Sequence, residues 1–142
     1  MIREAVPGDI PRLVAMGGRF IRIAYPTTLR DNPAARAETM AAAIAGENGL
    51  LLVMERCGQI VGMICAFVYV HPLTADKIGG ELFWWVEPEC RGRGLALLRR
   101  AEAWAKTRGA IRFTSIAPSA RTARLYRHLG YQELEVHYQK DI

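Results

Sequence analysis

Apolar positions along this chain recur at two spacings, and the switches between them mark out the elements. Residues 2–5 read as a short opening strand. Asp9 with Pro11 then starts a helix whose apolar side carries Ile10, Leu13, Val14, Met16 and Phe20, and Gly17-Gly18 offers a place for it to kink or divide. Asn32-Pro33 sets a cap residue before a proline at the first helical position, so residues 34–45 form a second helix that Gly46 ends. Residues 50–55 and 59–70 are β-rich runs around Arg56-Cys57-Gly58, a hairpin signal, and His71-Pro72 closes the second strand.

A loop reaching Gly79-Gly80 leads into a central strand, residues 81–86. The chain breaks at Pro88 and passes through the glycine-rich turn Cys90-Arg91-Gly92-Arg93-Gly94-Leu95-Ala96 into a helix that runs to Arg108. Leu97, Leu98, Ala101, Trp104 and Ala105 fall on one face of that helix, with Arg99, Glu102 and Lys106 on the other. Residues 111–116 give the next strand and residues 119–129 the last helix, stopped by Gly130. Residues 131–140 then read as a closing strand or bent strand pair. The order β-α-α-β-β-β-α-β-α-β covers residues 1–142 as a single α/β domain, without linker, repeat or low-complexity tract.

A strand that feeds a helix through glycines is a phosphate receptor, because the first turn of a helix carries N–H groups without intrahelical partners and glycine lets that backbone come close to an anion. The chain has no G-x-x-x-x-G-K-[ST], which argues against a nucleotide-hydrolysing P-loop. Gly92 and Gly94 begin a G-x-G, but Leu97 stands where a dinucleotide fold wants a third glycine or alanine, and residues 111–116 offer no carboxylate for a ribose. The segment Arg91-Gly92-Arg93-Gly94-Leu95-Ala96 instead resembles the acyl-CoA binding motif [QR]-x-x-G-x-[GA] of the GNAT superfamily of N-acyltransferases. A second stretch, Ser119 to Tyr131, resembles that family's N-x-x-A-x-x-L-Y-x-x-x-G-[FY] helix, in the right order along the chain.

The resemblance implies a mixed, mostly antiparallel central sheet flanked by helices, acetyl-CoA as acyl donor, and transfer to the primary amine of an acceptor by direct attack in a ternary complex. It implies that Arg91, Gly92, Arg93, Gly94, Leu95 and Ala96 hold the pyrophosphate, mostly through amides, with Arg93 best placed for a charge-assisted contact. It implies that Val86 offers a backbone N–H to the thioester carbonyl where its strand splays from the next at a bulge, and that Tyr126 protonates the departing thiolate. Ser119 replaces the family's usual Asn, so its contact with pantetheine has fewer donors. Trp84 and Trp85 are half core and half cleft wall.

An alkylammonium with a reference pKa near ~10.4 must lose a proton before it attacks, so a base is required. Glu81 is the choice: alternation along its strand sets it beside Phe83 and Trp85 and opposite Leu82 and Trp84, at the edge of an aromatic cleft that would raise its pKa. A solvated glutamate at a strand's start is the other reading. Glu135 and His137 are weaker alternatives.

Composition adds little to this. Nineteen Lys and Arg against fourteen Asp and Glu give a net charge of +5, which attracts anions without choosing among CoA, an acidic substrate and nucleic acid. No run is apolar enough to cross a bilayer, no secretory signal is visible, and three widely spaced cysteines without C-x-x-C or histidine pairs fit a cytoplasmic, metal-free protein. Two further readings stand beside the enzyme. One is a CoA-binding regulator whose catalysis has decayed. The other is a basic nucleic-acid-binding module, which no recognised motif supports. The short tail after Tyr131 leaves open that a partner subunit supplies a strand, hence a homodimer, and the acceptor is set by residues 17–46 and 71–80, which carry no decodable signature.

Overall fold

The computed structural model describes residues 1–142, which form β1 (Ile2–Glu4), α1 (Ile10–Ala24), α2 (Pro33–Ala45), β2 (Gly49–Arg56), β3 (Gln59–Val70), β4 (Lys77–Val86), α3 (Leu95–Thr107), β5 (Arg112–Thr114) and α4 (Ala120–His128). The starts of α2 and α4 are fixed by the side chains that the sequence puts there. Asn32 Oδ1 accepts the Ala35 N–H at 3.0 Å, and Ser119 Oγ accepts the Thr122 N–H at 3.2 Å. Between β2 and β3, Cys57 and Gly58 both have positive φ, the two-residue turn whose twist matches a hairpin.

The strands form one sheet in the order β1-β2-β3-β4-β5, antiparallel throughout except for the parallel pair β4 and β5. Helices α1 and α2 cover one face around Leu13, Met16, Met40, Val53, Met63 and Trp85. Helices α3 and α4 cover the other around Leu52, Ile64, Ala66, Leu97, Leu98 and Tyr126. This is the α/β fold class expected from the sequence, and no helix is long and apolar enough to cross a membrane.

Three expectations change. Helix α1 runs through Gly17-Gly18 without a break: a Cβ on Gly17 would lie 2.9 Å from Arg36 Cδ, so the small residues let the Arg36 side chain of α2 cross closely. Strand β4 begins at Lys77 rather than at Glu81, and Gly79-Gly80 belong to it. The glycines are packing devices, since a Cβ on Gly79 would meet Ala105 Cβ at 2.6 Å and Phe113 Cδ2 at 2.8 Å. The closing strand expected at residues 131–140 does not form. The tail beyond Tyr131 is exposed, and it pairs with no strand of the chain although the outer edge of β5 is open.

The exit of β4 is clamped to α1 by a buried carboxylate that the sequence pattern did not single out. Glu87 accepts from Arg12 Nη2 at 3.1 Å, from Arg19 Nη1 at 2.7 Å and from Trp85 Nε1 at 3.4 Å, while its own N–H donates to Val61 O at 2.8 Å. Glu87→Ala is expected to cost about 2 kcal/mol, below the roughly 3–5 of a fully buried pair because both guanidiniums keep access to water. A lower urea midpoint at unchanged slope would measure it.

Candidate active site

Strand β4 carries the site, and two irregularities shape it. Opposite β3 the register slips by one: Cys65 faces Phe83 and Ala66 faces Glu81, which leaves Leu82 without a partner. This bulge inverts the alternation. Glu81 therefore shares the α3/α4 face with Trp84, not the face of Phe83 and Trp85 as simple alternation predicts. On its other side β4 pairs with β5 only at Ile78↔Arg112, Gly79↔Phe113 and Gly80↔Thr114, and β5 ends there while β4 continues to Val86. The sheet is split from Glu81 onward.

Glu81 and Tyr126 meet beside this split. Tyr126 Oη donates to Glu81 Oε2 at 2.8 Å, and both residues are buried, Glu81 at 7% exposure and Tyr126 at 5%. Burial pushes the Glu81 carboxyl up from its ordinary range to about 7, against the opposing pull of the Tyr126 hydrogen bond. Burial and then the Glu81 charge raise the Tyr126 phenol, so it stays protonated at neutral pH. Tyr25, which the sequence reading missed, lines the same cavity, and its phenol is raised by burial and by Glu81.

The glycine-rich turn closes the far end. Gly92 has φ +89°, a conformation that other residues adopt only with strain. Gly94 caps α3 with no side chain, and a Cβ there would fall 2.4 Å from Val86 Cγ2. The first turn of α3 is thus held against the end of β4 with its leading amides uncapped. Trp84 Nε1 is buried with no hydrogen-bond partner, 3.3 Å from where that Cβ would stand. An enclosed indole donor without an acceptor costs free energy, and an oxygen-rich ligand threading past Gly94 would satisfy it. Arg91 lies over the Trp85 ring with its Cζ 5.5 Å from the centroid.

These groups surround a cavity of about 480 Å³, of the size that takes small ligands. Its wall includes Glu81, Trp84, Trp85, Val86, Arg91, Gly92, Gly94, Leu95, Ser119 and Tyr126. Arg93 and Ala96 are exposed and outside the wall, so Arg91, not Arg93, is the guanidinium nearest the cavity's aromatic floor. Ser119 has its hydroxyl engaged as the cap of α4 and against Thr122 Oγ1 at 3.1 Å. Glu135 and His137 pair with each other on the exposed tail, away from the wall. Arg121, Thr122 and Leu125 also line the wall from α4, Thr122 one helical turn before Tyr126. No three His, Cys, Asp or Glu side chains converge as a metal site would need.

The sequence profile described as the acetyltransferase (GNAT) family matches residues 19–131. An aminoglycoside N(6')-acetyltransferase type 1 of Klebsiella aerogenes is 27% identical over 115 residues, 77% of this chain and 74% of its own. An aminoglycoside antibiotic 6'-N-acetyltransferase from Acinetobacter haemolyticus superposes with a TM-score of 0.77 at 24% identity, covering 100% of this chain and 99% of that one. A predicted acetyltransferase from Clostridium acetobutylicum, whose crystal structure contains acetyl-CoA, gives a TM-score of 0.85 at 21% identity, covering 99% and 95%. The last two likenesses bear on the fold.

Proposed function

This chain belongs to the acetyltransferase (GNAT) family, and from that premise we propose that it moves an acetyl group from acetyl-CoA directly to a primary amine while both are bound. The observation that carries the reading is the Tyr126–Glu81 contact at 2.8 Å beside the split between β4 and β5.

Acetyl-CoA supplies the activated acyl carbon: a bond from the amine nitrogen forms, the carbon–sulfur bond breaks, and the thiolate leaves. The uncapped amides of the first turn of α3, with Arg91 beside them, receive the diphosphate, and Trp84 Nε1 finds its acceptor on the same ligand. The backbone N–H at the end of β4, at Val86, polarises the carbonyl. Glu81, with a pKa near neutrality, takes the proton from the acceptor's ammonium directly or through one water. Tyr126 donates its proton to the sulfur. Glu81 then returns a proton to Tyr126 across their hydrogen bond, so one of the two protons that the ammonium nitrogen loses has moved to sulfur, the other leaves to solvent as the amide forms, and the pair is reset. An aminoglycoside, the acceptor in the relatives' names, is one amine among those this chemistry serves.

Saturating acetyl-CoA is expected to raise the melting temperature by several degrees, since a ligand at ~100 times its Kd adds about 2.7 kcal/mol. Mass spectrometry of an amine panel would then detect the acetylated product. Binding without any product would leave the decayed, CoA-binding reading in place.

Two subsidiary readings go with this one. A cytoplasmic location is supported by three cysteines that are all unpaired. A homodimer is supported by the tail, where Leu134, Val136 and Tyr138 alternate with polar residues at 77%, 62% and 93% exposure while β5 keeps an open edge. A second copy's tail would pair there. Light scattering should give the dimer mass for the full chain and the monomer mass after deletion of residues 132–142; a monomeric full chain contradicts it.

A further inference from the structure

A second cavity, also about 480 Å³, lies between α1, α2 and β4 and shares Phe20, Tyr25, Leu82 and Ile116 with the first. The shared wall puts it next to Glu81, on the side away from the glycine-rich turn. Its surface is largely apolar, with Phe20, Leu29, Met40, Leu82 and Phe83. Its charged wall residues are Arg30 and Arg36, and no Asp or Glu lines it. Arg36 is already engaged, through Nη1 with Asp31 and through Nε with Val14 O at 3.3 Å. Arg30 is exposed and makes no ion pair.

Across both cavities the single acidic residue is Glu81, which is buried and accepts the Tyr126 hydroxyl. An acceptor with several ammonium groups would therefore set its surplus charges against apolar side chains and two guanidiniums. That is selection against a polycation, because a desolvated charge without a partner costs more than the remaining contacts return. The complementary acceptor has one reactive amine, an apolar body for the Phe20–Phe83 wall, and an anionic end for Arg30. We propose that this chain acetylates a monoamine of that kind, an apolar amino-carboxylate, with Arg30 as the residue that reads its carboxylate. The proposal rests on the acetyl-transfer reading above and narrows it: among the amines that the relatives' names suggest, a polycationic amino sugar is the wrong shape of charge.

The test compares 4-(aminomethyl)benzoate, benzylamine and kanamycin as acceptors at saturating acetyl-CoA, scoring kcat/KM by release of free thiol. The expected order is 4-(aminomethyl)benzoate above benzylamine by tenfold or more, and both above kanamycin by at least a hundredfold. Arg30→Glu should lower the preference for the carboxylate over benzylamine at least tenfold; Arg30→Lys, which keeps the charge, should retain most of it. Kanamycin as the best acceptor, a preference unmoved by Arg30→Glu, or no turnover of the three amines while acetyl-CoA still raises the melting temperature would each overturn the proposal and leave the donor site standing. Loss of the thermal shift itself would instead overturn the acetyl-transfer reading.

Discussion

Glu81→Gln is expected to lower kcat by roughly 10²–10⁴ while making the folded protein more stable above neutral pH. The two effects have one cause. Glu81 is buried against Tyr126 and its pKa is lifted to about 7, so near neutrality it is poised to exchange a proton. Glutamine keeps the shape and still accepts the Tyr126 hydroxyl, but it cannot take a proton from an amine. The sign on stability follows from the same lift. A carboxyl whose pKa is higher folded than unfolded favours the folded state below the unfolded value of 4.5, and that contribution is lost as pH rises through about 7. Above that the ionised wild-type side chain costs on the order of 3 kcal/mol that glutamine does not. Melting curves from pH 5 to 9 should show the variant gaining on the wild type as pH rises, while kcat/KM of the wild type climbs toward a plateau above pH 7. A variant with wild-type turnover removes Glu81 from the proton path.

Gly94→Ala is expected to weaken acetyl-CoA binding at least a hundredfold and to cost about 1–3 kcal/mol of stability, the usual range for overpacking. The added Cβ would stand 2.4 Å from Val86 Cγ2, so α3 must back away from β4, carrying its first amides and the Trp84 indole environment with it. Val86→Ala removes the methyl that collides. The double variant should therefore recover both stability and affinity beyond additivity, with a coupling of about 0.5–3 kcal/mol. Calorimetric titration with acetyl-CoA and urea unfolding of all four proteins would read the cycle. Additive losses would mean that the close approach at Gly94 does not hold the donor site.

Most elements were legible because their signals are local. The Asn32 cap, the Cys57-Gly58 turn and the 3.6-residue stripe of α3 depend on neighbours a few residues away, and all appear where the pattern puts them. The motif at residues 91–96 and Tyr126 were found through a family resemblance; nothing in their periodicity says that they converge. What the sequence hid was produced by distant packing. A bulge at Leu82 turned Glu81 to the opposite face from the one its alternation predicts, and only that turn brings it to Tyr126, 45 residues away in the chain. Gly79-Gly80 read as a loop because glycine usually breaks a strand, whereas here Ala105 and Phe113 demand the missing side chains. Arg12, Arg19 and Glu87 look like solvated charges until α1 folds over the end of β4. The tail from 132 onward alternates as a strand should, but a strand forms only when an edge accepts it, and within one chain no edge does.

The proposed acetyl transfer depends on the grip of the β4–α3 turn on acetyl-CoA. Its most direct test is calorimetric titration of acetyl-CoA into the full chain, repeated with Gly94→Glu, which puts an anion and extra bulk at the proposed diphosphate position. The predicted result is saturable binding of one acetyl-CoA per chain to the wild type and no detectable heat for the variant. Absence of heat with the wild type, or equal binding by the variant, would contradict it.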